Sequence, residues 1–138
     1  MKISVFGLGY VGLSNALLLG QNEEVVAYDI VESKIKKLQQ GQSILDDKEI
    51  IEFLDSDNVS VEFTTDFEKA VNHADYLIIA TPTDYNEETQ HFDTSTIENV
   101  IERALAIRPD ATFLIKSTIP VNYVQSLKDK YKTDNIIF

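Results

Sequence analysis

The chain has 138 residues, 43% of them hydrophobic and 25% charged, a composition suited to one folded domain. Its 23 acidic and 12 basic residues give a formal charge of −11, and no basic cluster exceeds Lys34, Lys36 and Lys37, so neither nucleic acid nor an anionic membrane surface is an expected partner. With no cysteine it builds no disulfide, thiolate metal site or cysteine nucleophile of its own, and its apolar runs are too short for a membrane span or a signal peptide, so a cytoplasmic setting is expected.

Six short β-like runs alternate with helical patterns along the chain. The first covers residues 2–6. The glycine-rich turn Gly7-Leu8-Gly9-Tyr10-Val11-Gly12 follows and leads into the apolar stretch 13–19. The second run, 25–28, ends at Asp29. A charged helical pattern over 32–40 comes next, with Gly41 placed as a residue that closes a helix. Asp46 and Glu49 have the spacing of a capping box ahead of Ile50, Ile51 and Leu54.

The third run is 59–63, and Asp66 is placed to cap a short helix reaching Ala74. The fourth run, 76–80, is nearly all apolar, as a strand buried on both faces should be. A polar loop is expected over 82–93. Helical spacing returns with Ile97, Val100, Ile101, Ala104 and Leu105. The fifth run is 112–115. Pro120 is expected to open a helix with Val121, Val124 and Leu127 on one face, and residues 135–138 read as a sixth strand. This alternation predicts an α/β fold, a parallel six-stranded sheet with helices on both faces, as one domain over residues 1–138. That the chain stops inside an apparent core strand points to a protein cut short.

Gly7-x-Gly9-x-x-Gly12 follows a strand and opens a helix, and Asp29 stands 22 residues after Gly7 at the end of the next strand. That order is the dinucleotide-binding pattern of a Rossmann-like, doubly wound sheet. Gly7 permits the tight turn, Gly9 lets backbone approach a pyrophosphate, and Gly12 lets the helix pack closely. The helix N-terminus offers free N–H groups to the anion. Asp29 is placed to accept hydrogen bonds from ribose hydroxyls, or to cap the following helix. As a ribose ligand it would repel a 2′-phosphate, and Ile30 and Val31 supply no arginine to receive one, which favours NAD over NADP. His73 and His91 have no partner at metal-ligand spacing, so no metal is expected. The carboxylate pairs Asp46-Asp47 and Glu87-Glu88 read as a helix cap and a solvated loop.

Three segments together resemble the nucleotide-sugar dehydrogenases of the UDP-glucose/GDP-mannose dehydrogenase family: Gly7-Leu8-Gly9-Tyr10-Val11-Gly12-Leu13, Ala80-Thr81-Pro82-Thr83 and Lys116-Ser117-Thr118-Ile119-Pro120. The resemblance runs the length of the chain. It implies that Tyr10 and Val11 lend backbone N–H groups to the pyrophosphate, that Asp29 and Lys34 hold the adenosine ribose, and that Thr83 lies near the nicotinamide. Thr118 would touch the cofactor and stand at the catalytic edge, placing a water. Tyr85 and Asn86 would lie near the substrate side, and Lys116 has no assigned role. The resemblance further implies a homodimeric parent enzyme oxidising UDP-glucose to UDP-glucuronate with two NAD, for surface polysaccharide synthesis. UDP-N-acetylmannosamine or GDP-mannose are the alternative substrates; a stand-alone NAD-sensing module and a β-hydroxyacid dehydrogenase are the readings from other classes. The family's catalytic cysteine is absent here, and its UDP-sugar-binding domain would lie beyond Phe138. The 138 residues are therefore expected to bind NAD without catalysis.

Overall fold

The computed structural model describes residues 1–44, 46–55, 59–81, 84–86, 88, 91–117 and 119–138. Six strands form one parallel sheet: β1 (Lys2–Phe6), β2 (Glu24–Tyr28), β3 (Val61–Thr64), β4 (Tyr76–Ile79), β7 (Thr112–Ile115) and β8 (Ile136–Ile137). Their spatial order is β3-β2-β1-β4-β7-β8, with every pairing parallel. The chain winds outward from β1 to β3, returns to the other side of β1, and winds outward again. This is a Rossmann-like fold, and its topological switch point lies between β1 and β4.

The strands alternate in which face they feed. Ile3 and Val5 of β1, Val25 and Ala27 of β2, and Ile78 of β4 join one core with the helices α1 (Tyr10–Leu19), α2 (Glu32–Gln39) and α3 (Lys48–Leu54). Phe6, Val26, Tyr28, Leu77 and Ile79 join the opposite core with α4 (Phe67–His73), α5 (Ser95–Ile107) and α6 (Tyr123–Tyr131). A period-2 side-chain pattern that is apolar at every step is what a doubly covered sheet requires. No helix among the described residues is long and apolar enough to cross a membrane.

Local capping sets several boundaries. Asp66 caps α4 through its side chain, which accepts from the Lys69 N–H at 3.1 Å. Gly41, at φ +77°, closes α2: its N–H reaches the Leu38 carbonyl and the Gln42 N–H reaches that of Lys37, the paired bonds of a Schellman motif. The cap of α3 is Asp47, accepting from the Ile50 N–H at 3.1 Å, rather than Asp46. The one-residue shift follows from where the backbone leaves the extended region, which spacing alone leaves open between two adjacent aspartates.

Two further differences stand out. The polar stretch after β4 is not all loop: β5 (Asp84–Asn86) and β6 (His91–Asp93) pair antiparallel as a small ribbon outside the main sheet. The last helix begins at Tyr123, because Asn122 is in the left-handed region at φ 64°, and Val121 is left exposed before it. Leu127 is buried as its spacing suggested.

One buried polar residue interrupts β1. Ser4 is fully buried on the α4–α6 face, and its hydroxyl donates to the Ala70 carbonyl of α4 at 2.6 Å. The last carbonyls of a helix lack intrahelical partners, so this bond and those from Arg108 to the Val71 and Ala74 carbonyls finish the end of α4. Ser4→Ala is expected to cost about 1–2 kcal/mol by leaving a buried carbonyl unpaired. Urea unfolding followed by circular dichroism measures it, and a loss under about 0.3 kcal/mol would remove that role.

Candidate dinucleotide site

The three glycines of the first turn do different work. Gly7 has φ +97°, and a Cβ there would stand 2.8 Å from the Ala80 carbonyl oxygen and from Thr81 backbone. Its N–H donates to the Tyr28 carbonyl at 3.0 Å, fastening the turn to the end of β2. At Gly12 a Cβ would fall 1.7 Å from the Gly7 carbonyl oxygen, so α1 packs directly on the turn. Around Gly9 nothing lies within 4 Å of a built Cβ. The backbone there faces open space, where a ligand can come close.

Gly9 is the N-cap of α1, with no side chain to satisfy the helix. The helical ladder starts with the Leu13 N–H on the Gly9 carbonyl at 3.0 Å. The N–H groups of Tyr10, Val11 and Gly12 precede it and carry the positive end of the helix dipole. Tyr10 and Val11 are exposed, at 59% and 45%, so this end is open to an anion.

Asp29 is 7% exposed and is not the cap of α2; that position is Val31, which has no side-chain cap bond. One carboxylate oxygen of Asp29 accepts from the Leu8 N–H and the other from the Val31 N–H, both at 2.9 Å. The Lys34 ammonium stands 3.8 Å from the first of these oxygens. Asp29 therefore ties the glycine turn to the β2 end while facing the cleft, a structural role that its spacing did not reveal.

The second and third motifs meet in space. The Ser117 hydroxyl, buried after β7, donates to the Thr81 carbonyl after β4 at 2.6 Å, and the Thr96 hydroxyl donates to that of Thr81 at 3.1 Å. Ser117 was not singled out among the site residues, although it sits inside the Lys-Ser-Thr segment. Lys116 is exposed, and its backbone N–H bonds the Ile79 carbonyl. Thr83 and Thr118 lie outside the described residues, and of Tyr85 and Asn86 the structure describes only the backbone strand. The His73 ring meets the Glu24 carbonyl at 3.1 Å. Among the described residues no group of three His, Cys, Asp or Glu is placed to hold a metal ion.

A cleft of about 530 Å³ opens at the carboxyl ends of β1, β2 and β4, lined by Gly7, Asp29 and Lys34 on one side and by α5 on the other. It lies outside the strand ends at the switch point, where open α/β sheets take ligands. Tyr28, Ile30, Val31 and Phe67 make its apolar wall. Thr96, Asn99 and Arg103 of α5 also face it, at i, i+3 and i+7. This polar stripe beside the apolar face of α5 was the available signal for its part in the site.

A glycine-built strand–turn–helix at the switch point, an acidic residue closing the next strand and a cleft between them define a dinucleotide-binding domain. The chain belongs to the UDP-glucose/GDP-mannose dehydrogenase family: that family's NAD binding domain matches residues 1–136. It is 41% identical to the UDP-glucose 6-dehydrogenase of Campylobacter jejuni and 38% identical to that of Streptococcus pneumoniae, in each case over the whole of this chain. It spans about a third of those relatives' length, 36% and 35%. Among solved structures it superposes on a ternary complex of GDP-mannose dehydrogenase from Pseudomonas aeruginosa, with TM-score 0.83 and 28% identity, covering 99% of this chain and 34% of that one. It also matches the UDP-D-ManNAc dehydrogenase of Pyrococcus horikoshii, with TM-score 0.82 and 29% identity, over 96% of this chain and 32% of that one. The cofactor of the domain is NAD.

Proposed function

We propose that this chain is the cofactor-holding part of a UDP-glucose 6-dehydrogenase that makes UDP-glucuronate with two NAD, and that alone it binds NAD without turnover. The observation carrying the binding half is the open backbone at Gly9, the N-cap of α1, in a turn whose Gly7 lines the cleft together with Asp29 and whose Leu8 N–H is held by that carboxylate. In this reading the N–H groups of Tyr10, Val11 and Gly12 hold the pyrophosphate, and Asp29 with Lys34 holds the adenosine ribose. Thr83 and Thr118 border the nicotinamide, with Thr118 placing the catalytic water. NAD, when bound, supplies the hydride acceptor.

UDP-glucose is favoured over GDP-mannose because two relatives at 41% and 38% identity bear the name UDP-glucose 6-dehydrogenase, whereas the GDP-mannose 6-dehydrogenase of Pseudomonas aeruginosa matches at 34% over 86% of the chain. The chain has no cysteine to carry the thioester that the second oxidation needs. Sugar recognition, that nucleophile and the dimer contact belong to the remainder of such an enzyme, and the product would feed polysaccharide synthesis in the cytoplasm.

Two measurements test this reading. In the protein carrying this domain, UDP-glucose should yield two NADH per sugar and outrun UDP-N-acetylmannosamine and GDP-mannose; preference for either of those would replace the substrate. In the 138-residue chain, calorimetry should show NAD bound at least about tenfold tighter than NADP, with no NADH formed from UDP-glucose. Asp29→Ala should weaken NAD by about 10- to 100-fold through loss of a charged hydrogen-bond acceptor, and narrow the gap to NADP. It should also destabilise the fold by about 1–3 kcal/mol, because the Leu8 and Val31 N–H groups lose their acceptor. The NAD-to-NADP ratio separates the two effects, since lost stability alone leaves it unchanged. A ratio equal to that of the parent would remove Asp29 from ribose recognition.

A further inference from the structure

We propose that Arg103 is a cofactor-positioning residue: its guanidinium, laid over Phe67, is the stacking platform for the adenine ring. The inference rests on the cofactor reading above and adds a residue from α5, an element that neither the glycine turn nor the motif segments include.

The platform is built in layers. Phe6, Tyr28 and Phe67 form a triangle with ring centroids 5.3–5.5 Å apart, and Phe67 is set edge-on to Tyr28 at 83°. All three are buried, which fixes their rings. The guanidinium carbon of Arg103 lies 3.9 Å from the Phe67 centroid. No ion pair draws Arg103 elsewhere among the described residues. The arginine is exposed and lines the same cleft as Asp29 and Lys34.

A guanidinium is planar, weakly hydrated and able to stack on π systems through either face. With one face on Phe67, the other is left for the cleft. Ile30, 78% exposed, and Val31, 40% exposed, line the same cleft as apolar side chains kept in water. A flat, weakly polar ring with a charged sugar-phosphate tail suits such a lining, and Asn99 of α5 lines the cleft as well. A phosphate in the same place would instead use the arginine as a charge, and the two uses respond differently to lysine.

The experiment titrates the 138-residue chain, Arg103→Ala and Arg103→Lys with NAD and with AMP, beside thermal unfolding of each. The alanine variant should weaken both ligands by a common factor of about tenfold, with little change between low and high salt. Lysine should stay within about threefold of alanine, because charge is kept and the planar face is lost. In ¹⁵N-labelled protein the Arg103 Nε–H resonance, identified by its absence in Arg103→Lys, should move upfield as AMP saturates the site, through the adenine ring current. A merely structural role would not move it. Parent-like binding by either variant, or an Nε–H resonance unmoved at saturating AMP, overturns the platform. If this happens while Asp29→Ala still weakens NAD, the cofactor site stands without Arg103; if NAD does not bind the parent chain, the cofactor reading falls first.

Discussion

Gly12→Ala is expected to destabilise the domain by about 4 kcal/mol or more, a large part of the 5–15 kcal/mol that holds a domain of this kind together. The added Cβ would lie 1.7 Å from the Gly7 carbonyl oxygen and 2.9 Å from its carbonyl carbon. These are backbone atoms, and the turn that carries them is fixed from three sides. The Gly7 N–H is bonded to Tyr28, the Leu8 N–H to Asp29, and Ala80 and Thr81 close in on Gly7 itself. No rotamer change relieves such a clash; either α1 shifts away from the sheet or the turn opens. Moving α1 would pull Leu13, Ala16 and Leu17, all buried, out of their core. Urea unfolding gives the loss directly. A variant within about 1 kcal/mol of the parent would mean that the turn yields, contrary to the packing described.

Gly9→Val, three residues earlier, should do the opposite: leave the fold standing and remove NAD binding. The built Cβ meets nothing within 4 Å, and Gly9 has φ −79° and ψ −162°, a backbone that valine adopts without strain. The stability cost is limited to the poorer N-cap, about 1 kcal/mol. The isopropyl group, however, would occupy the space above the Tyr10 and Val11 N–H groups, through which a pyrophosphate reaches the helix end. A loss of about 100-fold or more in NAD affinity is expected by calorimetry, with an unfolding midpoint close to that of the parent. Unchanged affinity would show that the anion does not approach over Gly9. Together the two variants split a single motif into a packing glycine and a ligand-facing glycine.

The strand–helix alternation was legible because the inner strands β1, β2 and β4 are covered on both faces, so burial wrote apolar runs that local sequence displays. The site was legible in part for a similar reason. A phosphate-binding turn needs glycine at fixed spacing, and few other backbones require Gly7, Gly9 and Gly12 in that order after a strand. Asp29 was legible as a ribose ligand candidate by its distance along the chain. Its bonds to Leu8 and Val31 were not, because they depend on how the β1 turn and the β2 end meet across the sheet. The ribbon of β5 and β6 was missed because three-residue strands outside the main core leave no apolar alternation to read. The cap at Asp47 was missed because two adjacent aspartates satisfy the same spacing rule.

Sequence alone therefore determined the class of fold, the alternation of the main-sheet strands with helices and the place of the glycine turn, all of which rest on contacts short in sequence or on periodicity. Tertiary structure decided which glycine packs and which faces open space. It also joined Ser117 to Thr81 over 36 residues, paired Ser4 with Ala70, and set Arg103 over Phe67 at the edge of the cleft. The physical reason is common to these cases. A hydrogen bond or stacked pair between distant segments leaves no periodic trace, since each partner alone satisfies the local preferences of its own strand, helix or loop.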